Sequence, residues 1–129
     1  FTKKLVICFL NSIFDQVETN LDPNLNKQPP NRLVSTYSND PEIRDLVFEF
    51  VREMPQRIRL ANDAFMRGDL LRLQFWAHQM KGGAGGYGFS DISQKAANLE
   101  TAITTNQPAE KIFLALLVVT NLCDRASAD

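Results

Sequence analysis

Histidine occurs once in the 129 residues, at position 78, with a lysine three places on at Lys81 and a glycine four places on at Gly82. Five of the six glycines crowd into Ala77-His78-Gln79-Met80-Lys81-Gly82-Gly83-Ala84-Gly85-Gly86-Tyr87-Gly88-Phe89. Residues three and four apart share a helix face, so on a helix the imidazole, the ammonium and a position without a side chain stand together. Imidazole titrates near neutrality, and at pH 7 one ring nitrogen keeps a lone pair that can attack phosphorus. Lys81 could offset charge on phosphoryl oxygens, while a carboxylate could hold the other ring nitrogen in the required tautomer. No Ser-His-Asp set and no carboxylate cluster accompanies them. The chain reads as half of an active site, whose metal and acceptor come from a partner.

Two other readings compete for the same stretch. Gly83-Ala84-Gly85-Gly86-Tyr87-Gly88 literally satisfies G-x-G-x-x-G, a phosphate-cradling loop. That motif needs a buried strand before it, whereas the preceding residues 69–81 are helical in pattern and carry polar Gln74, His78 and Gln79. No Val-Ala-Ile-Lys strand follows, so the protein-kinase form fails as well. In the blander reading His78 is a surface residue and the glycines mark a helix end and a loop. Glycine inside a helix costs about 1 kcal/mol relative to alanine, so four of them soon after His78 ask for a reason. One reason is steric: a partner's backbone could approach closely.

The elements that must position these residues are helical. Ile43, Leu46, Val47, Phe50, Val51, Met54, Ile58, Ala61 and Phe65 recur at helical spacing. They predict one long helix, capped by Asp40 with Pro41 at its first position, kinked at Pro55 and closed by Gly68. Asp69 caps a second helix that folds back on the first, with Leu70, Leu73, Ala77, Met80 and Ala84 facing the core. His78 then shares an outward face with Leu71, Gln74, Phe75, Lys81, Gly82 and Gly85. Ser90 or Asp91 should cap a third helix with Ile92, Ala96, Leu99 and Ile103 inside, ended by Asn106-Gln107-Pro108. The fourth carries an unbroken apolar run over 112–119, so it is apolar all round and something besides the bundle should cover it. Val6, Phe9, Leu10, Ile13, Phe14, Val17 and Leu21 make the N-terminal segment a candidate cover, on this chain or through self-association with another copy. Residues 22–41 hold Pro23, Pro29, Pro30 and Pro41 and read as a linker with a turn or short helix around 32–37. The expected fold is all-α: an antiparallel up-down four-helix bundle over 39–129, with an additional N-terminal helix and linker over 1–38, and no strand pairing.

Composition narrows the function. With 44% apolar and 22% charged residues and 14 basic against 15 acidic side chains, the chain is an ordinary folded domain with a net charge of −1. No basic stripe suggests nucleic acid. The N-terminal uncharged run, residues 5–14, is far short of the roughly 20 residues a membrane span requires, and Asp15-Gln16 stands where a signal peptide would need small residues. Cys8 and Cys123 show neither zinc-site nor disulfide spacing and read as buried thiols in a reducing cytoplasm.

Taken together, these residues resemble the histidine-containing phosphotransfer (HPt) domains of bacterial phosphorelays over most of 42–127. Phe50 through Met54-Pro55-Gln56-Arg57-Ile58 is similar to F-x-x-E-L-P-x-R-L, Ala64 to Leu70 to the A-x-x-x-G-D joint, and Ala77-His78-Gln79-Met80-Lys81-Gly82 to A-H-x-x-K-G. Leu99-Glu100 falls at the family's Leu-Glu pair. The resemblance implies His78 as phosphoacceptor at Nε2, Lys81 as the phosphate-facing cation, Glu100 as the residue that orients the imidazole, and Gly82 as the small residue admitting the partner. It further implies a docking patch of Leu71, Gln74, Phe75, Gly82 and Gly85. The chain would be a phosphocarrier without an ATP site or intrinsic cofactor, and not an autonomous enzyme. It would exchange phosphoryl groups with response-regulator receiver domains that supply Mg²⁺, or take one from a sensor histidine kinase. The glycine pattern is also similar to the phosphotransfer domain of chemotaxis kinases, although Ala97 stands where those have a further histidine and Pro55 departs from them. A non-catalytic receiver-docking module is the remaining alternative.

Overall fold

Among the described residues the helical periodicity is realised in five helices: α1 (Arg44–Arg52), α2 (Met54–Met66), α3 (Leu70–Gly86), α4 (Ser90–Thr104) and α5 (Ala109–Arg125). The computed structural model describes residues 32–128; the expected N-terminal helix, with Cys8, lies outside the described residues. The fold is all-α. Its only strands among the described residues are β1 (Leu33–Val34) and β2 (Ala126–Ser127), two residues each and paired in parallel, Leu33 opposite Ala126. This corrects the expectation of no strand pairing; the turn expected around 32–37 is present but begins only at residue 36, after the strand. A two-residue pair is too short to leave an alternating apolar pattern in sequence.

The single kinked helix expected over 40–68 is two helices. Pro55 lacks an N–H and its ring crowds the carbonyl of Val51, so the chain breaks at Glu53 and Pro55 sits in the first turn of α2. Glu53 keeps right-handed helical angles (φ −82°, ψ −9°), which is why the apolar phase runs through the break. Asp40 does not cap α1, which begins after Ile43 with no side-chain cap. Asp40 instead heads the turn before it, accepting from the Glu42 amide on its carboxylate at 3.0 Å and from the Arg44 amide on its carbonyl at 2.8 Å.

Helix α2 packs on α3 and α5, α3 packs on α4, and α4 packs on α5. Their inner stripes form one core. Leu73, Ala77, Met80 and Ala84 of α3 and Ile92, Ala96, Leu99 and Ile103 of α4 are all buried, as the spacing predicts, while Leu70 is only half-buried at the edge. Each fully buried large aliphatic side chain is worth about 1.5–3 kcal/mol of apolar transfer. On α5, Ile112, Phe113, Leu116, Val119 and Cys123 point inward, yet Leu114, Leu117 and Val118 remain exposed. Burial pushes the Cys123 thiol up to about 12; Arg57 pulls weakly the other way and Asp124 adds to the rise.

Three joints share one stop signal. Gly68, Gly88 and Asn106 take positive φ after α2, α3 and α4, and paired backbone bonds close each end, as in Asp69 N–H to Ala64 carbonyl (2.9 Å) with Gly68 N–H to Phe65 carbonyl (3.0 Å). These stops keep the connections to three or four residues. At α4 the expected Ser90 or Asp91 cap gives way to Phe89, with Ser90 already inside the helix and Asp91 in its first turn, where a carboxylate suits the positive end of the dipole.

Candidate functional site

Helix α3 carries His78 and Lys81 one turn apart. Its start is fixed by Asp69, whose carboxylate accepts the Arg72 amide at 3.1 Å, as the sequence predicts. Its far end is held by Gly88 (φ +85°). A Cβ there would lie 2.6 Å from both Ser35 Oγ and Thr36 Oγ1, so only glycine fits. Ser35 Oγ donates to the Tyr87 carbonyl and the Thr36 amide to the Gly88 carbonyl, tying the segment after β1 to the end of α3.

The tight α3–α4 joint returns the chain so that Glu100 of α4 faces both α3 side chains. Its Oε2 stands 2.8 Å from His78 Nδ1 and its Oε1 2.8 Å from Lys81 Nζ. The hydrogen-bonded Lys81 ammonium holds the Glu100 carboxyl below the ordinary carboxylate range; partial burial opposes this, and the His78 contact reinforces it. An ionised carboxylate only accepts, so Nδ1 must be the protonated nitrogen and donate to Glu100. In the neutral imidazole this leaves the lone pair on Nε2, on a side chain that is 64% exposed, whereas Glu100 is 19% exposed.

Around this trio the surface is apolar. Leu71 and Phe75, two turns and one turn before His78, are 78% and 61% exposed. Together with Gln74, Asp69, Arg72, His78 and Glu100 they line a shallow open groove. Gly82, past the imidazole, has nothing within 4 Å of where a Cβ would point. Gly85 differs: a Cβ there would sit 3.2 Å from Ser93 Oγ, so its missing side chain also makes room for α4. Ser93 Oγ in turn donates to the Lys81 carbonyl at 2.6 Å.

All eight residues singled out in the sequence therefore fall on one region of α3 and α4. Asp69 and Arg72 were missed as groove residues; their nearness to Leu71 along the first turn of α3 was the available signal. Ser93 had none, since its contact depends on how α3 and α4 are set against each other.

The glycines are not a phosphate loop. Helix α3 continues through Gly82, Gly83, Gly85 and Gly86, so their amides before the last turn are engaged in the helix and no strand precedes them. Among the described residues no group of three His, Cys, Asp or Glu side chains could hold a metal ion, and no helix is long and apolar enough to cross a membrane.

The site is thus a lone histidine in a helical module, exposed on one helix and hydrogen-bonded to a carboxylate of the next. The family model of the Hpt domain matches residues 45–129, and the chain belongs to that family. Hpt domains serve phosphotransfer in two-component signalling, where they interact with receiver domains and kinases. No curated protein and no solved structure matches the chain.

Proposed function

We propose that this chain is a phosphocarrier of a phosphorelay, taking a phosphoryl group on His78 Nε2 from a receiver-domain aspartyl phosphate or a kinase and passing it to another receiver. The observation that carries the reading is the double contact of Glu100 with His78 Nδ1 and Lys81 Nζ, which leaves Nε2 as the outward lone pair. In the transfer, the Nε2–P bond forms as the bond from phosphorus to the aspartyl oxygen breaks, and the aspartate leaves as a carboxylate. No proton need move, because the ring proton already sits on Nδ1. The product ring is cationic, and the carboxylate of Glu100 compensates that charge, while Lys81 faces the phosphoryl oxygens. Such transfer is mostly positioning and charge stabilisation, with Mg²⁺ held by the receiver and no cofactor of the carrier's own.

In this reading Leu71, Gln74, Phe75, Gly82 and Gly85 receive the partner: two exposed apolar side chains before the imidazole, and open backbone after it. Helices α2 to α5 form an antiparallel up-down bundle, which short joints between helices that pack on one another favour. Residues 39–129 are the phosphotransfer domain and 1–38 an extension. The buried thiol of Cys123 suits a reducing cytoplasm.

The test is transfer of labelled phosphate from a phosphorylated receiver with Mg²⁺ to the chain and to His78→Gln. Acid-labile, alkali-stable label on the wild type alone is the expected result. A folded chain that takes no label from a panel of receivers and kinases would replace the carrier by a docking module.

A further inference from the structure

Among the described residues, three hydrogen bonds from side chains join α3 to α4, and all three meet at Lys81 or Glu100. Two are the contacts of Glu100 with His78 Nδ1 and Lys81 Nζ. The third lies two turns earlier on α4, where Ser93 Oγ donates to the Lys81 carbonyl at 2.6 Å. Seven residues are close to two full turns, so Ser93 and Glu100 stand on one face of α4, about 10 Å apart along its axis.

The third bond differs from the other two in what it holds. Lysine and glutamate side chains turn about several torsions and follow their partners, whereas the Lys81 carbonyl belongs to the backbone of α3. A carbonyl oxygen has two lone pairs, so it can take this hydroxyl beside the helical N–H it already accepts. Ser93 is equally fixed, with one torsion in its side chain and its amide donating to the Phe89 carbonyl at 3.0 Å in the first turn of α4. The bond is therefore a short strut between two helix backbones. Gly85, one turn past Lys81, makes room for it: a Cβ there would lie 3.2 Å from Ser93 Oγ and 3.6 Å from Ser93 Cβ, crowding the hydroxyl.

The spacing of the two helices is felt at Glu100. Its two oxygens stand 2.8 Å from separate groups on α3, and a shift of about 0.5 Å between the helices is enough to weaken one of these bonds. The bond at Nδ1 matters most for chemistry, because the bond made by one ring nitrogen decides which nitrogen carries the proton. When Glu100 lets go, the proton is free to occupy Nε2, the atom assigned to attack. We propose that Ser93 is a positioning residue for His78: its hydroxyl sets α4 at the distance from which Glu100 holds the ring proton on Nδ1. The meaning of this for transfer rests on the carrier reading, whereas the state of the ring can be read with no phosphate present.

His78 is the only histidine of the chain, so the nitrogen chemical shifts of its imidazole report the share of each tautomer without ambiguity. With the ring neutral, the full wild-type chain should hold the proton mainly on Nδ1. Ser93→Ala should raise the Nε2–H share about threefold. Ser93→Thr keeps the hydroxyl and should retain the wild-type balance, while Ser93→Val, of the same shape without the hydroxyl, should behave as Ser93→Ala. Helix content should be alike in all four chains, because Ser93 is only half-buried and alanine is the better helix former. Adding Ser93→Ala to Glu100→Gln should change the balance no further, since the route through Glu100 is already cut. A wild-type ring protonated on Nε2, or a balance indifferent to both Ser93→Ala and Ser93→Val, overturns the proposal. So does a shift in Ser93→Thr as large as in Ser93→Val, which would make position 93 a packing site, or a further shift in the double variant. Failure of the carrier reading looks different: the ring keeps its proton on Nδ1 and His78 takes no label.

Discussion

Two of the exposed apolar patches among the described residues, one on α3 and one on α5, differ in what surrounds them. Leu71 and Phe75 on α3 border an imidazole, a lysine and a carboxylate joined by hydrogen bonds, with open backbone at Gly82 beyond. Leu114, Leu117 and Val118 on α5 border no such chemistry. Exposed apolar surface beside a reactive group suits a partner that comes and goes. Exposure alone does not distinguish the two patches; the neighbouring groups do.

The contrast can be broken most severely at Gly82. Gly82→Leu should slow phosphoryl transfer by about two orders of magnitude, because a side chain there displaces the incoming phosphorus from Nε2. Its melting temperature should hold or rise, since leucine is the better helix former. Equal transfer rates in a stopped assay would deny the α3 patch its docking role. Phe75→Ala should cost about tenfold in transfer at sub-saturating receiver, through lost contact area, with thermal unfolding unchanged. Leu117→Ser should do the reverse, leaving transfer intact and lowering unfolding free energy by about 1 kcal/mol in a urea titration. A transfer defect in Leu117→Ser would merge the two patches into one partner surface.

The smallest effect sharpens the chemistry of the first patch. Lys81 and His78 hold the Glu100 carboxyl below its ordinary value of 4.5, so it binds protons less readily in the folded chain than in the unfolded one. Its stabilising contribution is therefore complete above the unfolded value and fades as pH falls through the folded one. Glu100→Gln should lower the melting temperature at neutral pH, with the difference from wild type shrinking as pH falls below about 5. A parallel loss at all pH values would mean that Glu100 acts only as a packing group.

Much of this was legible in the sequence. The stripes of α3 and α4 follow from period 3.6, and the His78, Lys81 and Gly82 face follows from the same period. Glu100 was reached only by resemblance, because nothing along the chain states which α4 residue faces which α3 residue. The break at Glu53 was hidden because that residue keeps helical angles and preserves the apolar phase. The glycines were open to a loop reading because local cost argues against them in a helix. Space for Ser93 beside Gly85 is a tertiary fact. The β1–β2 pair joins residues from the two ends of the described chain, and no local pattern announces such a contact.

That pair also bears on the order in which the molecule is assembled. His78 and Glu100 are 22 residues apart, on helices joined by three residues, so their meeting needs only a short loop to close. The β1 residues must wait for the last described residues before they can pair, and with them the contacts of Ser35 and Thr36 on the end of α3 are made secure. On a ribosome, the reactive trio can form while α5 is still being made, whereas the clasp at the end of α3 comes last. The contact between His78 and Glu100 can thus be in place before the clasp that secures the end of its helix.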